Sequence, residues 1–271
     1  MDNYLKNLDR SKIQLFQKSG FEDAVAMIFK LTEDSYLYNP LQGKFLNQEV
    51  RMTIIKIIYC HIFSKSYVTL STIKKICVDH NLCSPNTFVS IVNMLIASER
   101  VTCVRNSEDR RFIELKLTDK GLSDLQGKME VQIKCYQAIF SVTDTKLSPK
   151  IVDYRLYFER NIQLISHGII PLTLCPELLY LSKKDSGFTF ILYLYLHKDS
   201  DAFIKINISE LSKRFKVSRV HLCRLVRCAE EKKHLVRVGA DVYVLSSVLI
   251  KELHSYLSLM LLNDIYCLGY I

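Results

Sequence analysis

The chain has 271 residues, 49% of them hydrophobic and 24% charged, and it carries a formal net charge of +9. This length suits one large or two ordinary domains, and the composition excludes a disordered chain. Only 8 glycines and 5 prolines favour a helix-rich protein with short connections. The charge favours a polyanionic partner, nucleic acid before an anionic membrane surface, although many globular proteins are equally basic without such a partner.

Cysteine spacing and the two ends of the sequence bear on cofactors and compartment. The 9 cysteines are scattered, and neither Cys77 with Cys83 nor Cys223 with Cys228 has the spacing of a zinc site. We therefore expect no cofactor, and reduced thiols in a cytoplasmic protein. Residues 1–12 are polar and lack the apolar core of a signal peptide. Residues 257–271 are apolar but too few and too interrupted to span a bilayer, so no membrane association is expected.

Residues 1–48 form the first predicted segment, which is helical. Apolar residues recur at three- and four-residue spacing from Leu8 to Leu31. Residues 36–43 (YLYNPLQG) are rich in turn formers and interrupt that pattern.

Residues 49–140 contain several predicted helices. One is predicted over residues 49–64, and a short amphipathic segment around Ile73 then leads through a turn to Ser84. Ser84 is a suitable N-cap and Pro85 a suitable first helical residue, because that position needs no amide donor. One side of the helix that begins there is predicted to be apolar, with Phe88, Val89, Val92, Leu95 and Ile96.

A hairpin and a long helix are predicted after it. Two β-like runs, 101–105 and 112–117, are joined by the charged tip NSEDRR, and an amphipathic helix then runs from Thr118 to about Phe140. Helix, turn, helix, hairpin and helix is the order of a winged helix-turn-helix. Its second helix can enter a DNA major groove while the hairpin tip reaches the neighbouring backbone or minor groove.

The hairpin also carries a resemblance to a known family. The run DRRFIELKLTDKG at Asp109–Gly121 resembles the wing and following helix start of MarR-type transcriptional regulators. The resemblance covers residues 49–128 and implies a DNA-binding domain, with the N-terminal helix joining the C-terminal helices in dimerisation. It also implies that Arg111 contacts the minor groove while Asp109 orients it through an ion pair. A purely structural pairing of these two side chains is the alternative.

Residues 141–185 are predicted to be a helical linker. The stretch SVTDTKLSPK at 141–150 breaks the helical pattern and marks the domain boundary. A helix is predicted over 151–167, a bend at 171–176 and a short helical piece over 177–182.

Residues 186–271 repeat the helix-turn-helix pattern and end in a C-terminal helix. Ser218 caps a helix whose Leu222, Val226 and Ala229 are predicted to face inward, and residues 239–241 form the turn of a shorter wing. The wording VSRVHLCRLVRCAEEKKHLV is similar to recognition helices of cyclic-nucleotide-receptor-like and related bacterial repressors. The predicted fold is therefore mainly α with small β-hairpin wings, in tandem winged helix-turn-helix domains.

Candidate DNA contacts lie in both domains. Residues 205–237 contain ten Lys or Arg and three acids, so most of the net charge is concentrated there. Long guanidinium groups on the second recognition helix suit guanine edges and phosphates, whereas the first recognition helix is polar but uncharged. The alternative is an ordinary solvated helix face. The candidates are Asn86, Thr87 and Ser90 in the first helix, Arg105, Arg110 and Arg111 in its wing, and Lys216, Arg219, His221, Arg224 and Arg227 in the second helix.

The sequence thus predicts a non-enzymatic regulator of transcription that binds double-stranded DNA as a monomer or homodimer. A plasmid-type replication initiator with tandem winged helices is one alternative, and a winged-helix module for protein interaction is another. No catalytic or nucleotide-binding motif is present. A small-molecule effector is a further option, with Tyr154, Tyr157, Phe158 and Tyr180 lining its pocket or belonging to the core. A redox-sensing role for Cys83 or Cys223 is also open.

Overall fold

The computed structural model describes residues 4, 7, 8, 11, 14, 15, 17, 19–38, 48–63, 70–105, 113–140 and 153–269. Its first helices and strands are α1 (Phe21–Tyr38), α2 (Glu49–Phe63), α3 (Leu70–Asp79), α4 (Pro85–Ala97), β1 (Val101–Arg105), β2 (Ile113–Leu117) and α5 (Asp119–Phe140). Next come α6 (Tyr154–Ser166), a 3₁₀ turn (Pro171–Leu174), α7 (Pro176–Ser182), α8 (Gly187–His197) and β3 (Phe203–Lys205). The last are α9 (Ile208–Arg214), α10 (Arg219–Glu231), β4 (Leu235–Arg237), β5 (Val242–Leu245) and α11 (Ser247–Leu268). The predicted class, mainly α with small β-hairpins, is confirmed.

The first hairpin unit consists of α2 to α5 with β1 and β2. Ser84 has extended backbone angles, and its side-chain oxygen accepts a hydrogen bond from the Thr87 amide at 3.2 Å, as expected of an N-cap. β1 and β2 are antiparallel, with Val101 opposite Leu117. The predicted order of helices and strands is therefore confirmed here, while the hairpin tip at 106–112 lies outside the described residues.

The buried side of α4 is rotated relative to the prediction. Phe88, Val92 and Leu95 are buried as expected, but Ile91 joins them and Val89 is 48% exposed. Val89 was wrongly predicted to face inward. The reason is that α4 packs against α3 and β1 as well as α2, which centres its buried face on Phe88, Ile91 and Leu95.

The second hairpin unit consists of α8 to α11 with β3 to β5. Ser218 caps α10 by accepting from the His221 amide at 3.1 Å. The three strands lie in the order β3-β5-β4, and β4 and β5 form the predicted short hairpin. Strand β3 was not predicted. It has only three residues, of which Ile204 alone is buried, and three residues are too few to reveal a periodicity in the sequence.

The two units repeat one backbone pattern around α4 and α10. Asn81 before α4 and Lys216 before α10 both have positive φ, at 54° and 52°. Glu99 and Lys233, just after the two helices, have φ of 59° and 57°. Left-handed residues are uncommon outside glycine. Their presence at both ends of both helices therefore extends the repeat from the sequence to the backbone.

Helix α11 joins the two units in a shared core. Its buried residues include Leu253, Leu257 and Leu261, and it packs against α5, α6, α7 and the 3₁₀ turn. Helix α1 in turn packs against α5 and α8. The described part of the predicted linker is also core, because α6 buries Phe158 and Leu164 and contacts both α2 and α11. The predicted boundary at 141–150 lies outside the described residues.

None of the described helices alone is both long and apolar enough to cross a bilayer, and only Tyr154–Leu174 with Pro176–Ser182, which meet at 75°, reach that length and composition together.

Candidate nucleic-acid interface

Helix α10 separates its apolar and basic residues onto opposite sides. Leu222, Leu225, Val226 and Ala229 are buried, while the outer side carries an arginine face, which we define as Arg219, Arg224 and Arg227. Burial of the apolar side in the unit's core fixes the direction of the arginine face. The guanidinium groups are consequently presented to solvent from a rigid helix.

Two of these arginines have free donors. Within the described part of the chain, Arg224 and Arg227 form neither an ion pair nor an internal hydrogen bond. Arg219 donates from Nη2 to the Ser209 hydroxyl of α9 at 2.8 Å. Lys216, which is exposed, occupies the left-handed turn just before the helix. The surface therefore offers planar donors without an internal acceptor, as anion recognition requires.

His221 differs from its basic neighbours, because it is only partly exposed. Its Nε2 lies 2.9 Å from the carbonyl oxygen of Asp185, in the turn between α7 and α8. The ring therefore holds the start of α10 against that turn. The sequence predicted that His221 faces away from the core, and its side chain is only partly exposed.

Ion pairs with acidic residues neutralise part of the positive charge of residues 205–237. Arg214 forms a two-pronged ion pair with Glu33 of α1, with Nη2 to Oε2 at 3.1 Å. Arg237 pairs with Glu230 at 3.1 Å. Since Glu33 lies far away in sequence, a count over residues 205–237 could not include it.

The corresponding face of α4 is polar and uncharged. Asn86 and Ser90 are exposed, whereas Thr87 is half-buried with its hydroxyl 2.9 Å from that of Ser84. Val89 lies exposed between them. This face offers few donors to phosphate, in contrast to the arginine face.

The wing candidates are only partly described. Arg105 is the last residue of β1 and pairs with Ile113 of β2 through the backbone. Arg110 and Arg111, together with Asp109, lie outside the described residues.

One short turn connects α4 and α10. The ammonium of Lys183 donates to the carbonyl of Asn81 before α4 at 2.7 Å, and the Asp185 carbonyl contacts His221 in α10. Gln48, which precedes α2, also donates to Asp185, to Oδ1 at 2.7 Å. With standard bond lengths, these contacts limit the Cα separation of Asn81 and His221 to roughly 30 Å. The turn before α4 and the first turn of α10 are thereby both attached to residues 183–185.

A cavity of about 680 Å³ lies between the two units. Two of the four predicted pocket aromatics, Tyr157 and Phe158, line it, and Tyr154 and Tyr180 do not. Its wall is otherwise mainly apolar and includes methionines from four helices, namely Met52, Met94, Met129 and Met260.

A buried carboxylate, Asp264 of α11, lies beside this cavity. Its Oδ1 accepts from Lys56 at 2.7 Å and from the Tyr157 hydroxyl at 2.5 Å, and its Oδ2 accepts from the amide of Gln132. Asp264 is 2% exposed. Burial, with the adjacent carboxylate, raises the pKa of Tyr157 well above its ordinary value, so the hydroxyl stays a donor. We call these four side chains the Asp264 cluster; they come from α2, α5, α6 and α11.

Polar groups without partners also line the cavity. The side-chain oxygen of Gln132 is buried and has no hydrogen-bond partner in the part of the chain that the structure describes. Lys128 forms neither a hydrogen bond nor an ion pair with any residue that the structure describes. Burial lowers the pKa of Lys128 and raises that of Glu49, whose Oε1 accepts from the Tyr256 hydroxyl at 2.6 Å. Sequence reasoning missed these residues. The available signal was Asp264, the one charged residue in the apolar stretch 255–268 of α11.

The cysteines are all free thiols. Cys83 is half-buried beside Cys77, whose thiol donates to it and so lowers the pKa of Cys83, whereas Cys223 is exposed on α10. Among the residues described, no three His, Cys, Asp or Glu side chains are grouped as metal ligands.

Comparison with known proteins gives no matching family model and no curated protein with significant similarity.

Proposed function

We propose that this protein is a transcriptional regulator that binds specific double-stranded DNA through two winged helix-turn-helix units in one chain. The arginine face of α10 carries the proposal, because Arg224 and Arg227 are exposed on a Ser-capped helix and have no acceptor among the residues that the structure describes. The proposal includes a cytoplasmic location and no catalytic activity.

The division of labour follows from the chemistry of the two helices. Arginines suit phosphates and the O6 and N7 atoms of guanine, so α10 supplies most of the electrostatic affinity. Asn86 and Ser90 of α4 suit base edges but contribute little to attraction of the backbone. Two unlike helices in one chain match two unlike half-sites without dimerisation. Because both helices belong to units that share one core, we expect one fixed spacing between the two half-sites.

A selection of bound sequences from random duplex DNA, at two salt concentrations, tests the proposal. One composite motif with two dissimilar halves is the expected result. Repeated copies of one short motif would favour the replication initiator instead. Absence of binding at both salt concentrations would overturn DNA binding and favour the protein-interaction module.

Substitution of Arg224 tests the site itself. Arg224→Ala is expected to weaken specific binding by about 1–3 kcal/mol if it contacts a base, or to reduce the salt dependence by about one ion if it contacts a phosphate. Arg111→Ala should weaken binding through the groove and backbone. Arg155→Ala is the matched control, since Arg155 is an exposed, ion-paired arginine on α6. Equal affinities for all three variants and the wild type would contradict the assignment.

One observation favours a second role for the first unit. Val89 is 48% exposed in the centre of the uncharged α4 face, a surface that suits a protein partner better than DNA. A selected motif with only one half, unaffected by Asn86→Ala, would assign DNA binding to the second unit and leave α4 to such a partner.

A further inference from the structure

The cavity between the units has the size and lining of a ligand site. Its volume, about 680 Å³, falls within the range of roughly 300–1,000 Å³ that small-molecule pockets occupy. Four of the protein's 6 methionines contribute to the wall. Unbranched thioether side chains adapt to flexible apolar groups. The lining therefore suits an alkyl chain better than one rigid shape.

The polar groups of the cavity indicate the chemistry of the other end of the ligand. Lys56 already has its counter-charge in Asp264, at 2.7 Å, and Glu49 already accepts from Tyr256. Lys128 has no hydrogen-bonding partner among the described residues. Burial lowers the pKa of Lys128, and the attraction of Glu49 opposes this only in part. An ammonium group in such a place gains most from an anionic acceptor.

A second unsatisfied atom lies in the same wall, at Gln132. Its amide nitrogen donates to Asp264, and its buried oxygen has no donor among the described residues. Native proteins rarely leave such atoms unpaired. A hydroxyl on the ligand would satisfy this oxygen, as an anionic head group would satisfy Lys128.

We propose that this cavity binds a free amphipathic monocarboxylate, with its alkyl chain among the methionines and its carboxylate on Lys128. A hydroxyl on that chain adds a hydrogen bond to Gln132. This ligand site is additional to the proposed DNA binding, and the argument for it does not depend on DNA binding.

Calorimetric titration of the full chain with eight-carbon probes tests the head group. Octanoate is expected to bind at least tenfold more tightly than octanol or octylamine, because a hydrogen bond to a charged group is worth a factor of about ten or more. A hydroxyoctanoate is expected to bind two- to tenfold more tightly than octanoate. Equal binding of octanol, or tighter binding of octylamine, would overturn the proposal.

Variants of the same chain test the location. Lys128→Met is expected to weaken octanoate at least tenfold and leave octanol unchanged. Lys134→Met is the matched control, because Lys134 is exposed on the same helix and paired with Glu130. Met52→Trp reduces the cavity from another helix, α2, and should weaken both probes. The test of the location therefore does not depend on the folding of a single variant. Octanoate affinity that is unchanged in both Lys128→Met and Met52→Trp would refute the site.

Discussion

Removal of the Asp264 charge tests how much the Asp264 cluster contributes to stability. In Asp264→Asn, a carboxylate that accepts from Lys56, Tyr157 and Gln132 becomes an amide with a single acceptor oxygen. Its new amino group then faces donors, and Lys56 loses its counter-charge. Removal of one member of a buried ion pair costs about 3–5 kcal/mol. Because the Lys56 side chain is 28% exposed, water offsets part of this cost, and we expect about 3 kcal/mol.

Urea unfolding followed by far-ultraviolet circular dichroism measures this loss, since the chain has no tryptophan. Asp79→Asn is the control, because Asp79 forms an exposed pair with Lys75 on one helix and should cost only a few tenths of a kcal/mol. In a double-mutant cycle, Lys56→Met should recover more than 1 kcal/mol of the loss. A loss below 1 kcal/mol, or strict additivity in the cycle, would refute the reasoning.

The same ion pair gives a signed pH dependence. Burial opposes the charge of Lys56, yet Asp264, with Cys267 and Cys60 nearby, holds the pKa of Lys56 above its ordinary value of 10.5. A raised lysine pKa contributes stability that is fully present below the unfolded pKa and is lost as pH rises through the folded one. The difference in unfolding free energy between wild type and Lys56→Met should therefore shrink above pH 10.5.

Two further predictions concern backbone positions. Gly127→Ala should stabilise the protein by about 0.5–1 kcal/mol, since a Cβ there meets nothing within 4 Å; Gly121→Ala on the same helix should destabilise it, because its Cβ would lie 2.3 Å from the Arg100 carbonyl oxygen. Similar melting temperatures for these two variants would contradict the packing of α5. Glu99→Gly should stabilise by about 0.5–1 kcal/mol by relieving a positive φ of 59°, whereas Glu99→Ala, which keeps the Cβ, should show no such gain in thermal unfolding.

Local rules predicted much of the fold. Ser84 and Ser218 were recognised as N-caps from their position before an apolar periodic run, and both side chains accept the expected amide hydrogen bond. This signal is local, because a cap depends on residues within one turn. The direction of Val89 depends instead on where α3 and β1 pack, and the α4 sequence contains no record of those neighbours. Strand β3 was not predicted for a related reason. It pairs with β5, where Val244 lies opposite Phe203, and the two strands are far apart in the sequence.

At the candidate sites, too, the sequence predicts the direction of a side chain but not its partners. The outward direction of Arg224 follows from helical spacing alone, whereas the inward engagement of His221 depends on Asp185 in another element. Lys128 and Gln132 looked like ordinary polar positions on an amphipathic helix. Only the approach of α2, α6 and α11 makes them cavity residues. Sequence periodicity gives the side of a helix but not what lies opposite it.

The shared core bears on how the two units act together. Tandem DNA-binding domains on a flexible linker accept variable half-site spacing, because the linker absorbs the difference. Here, α11 packs against α5, and Lys183 and Asp185 connect the starts of α4 and α10. If both helices bind DNA as proposed, this shared core favours a single spacing between the two half-sites. A change in the cavity wall can also reach both units at once, because Met94 of α4 and Phe188 of α8 both belong to that wall.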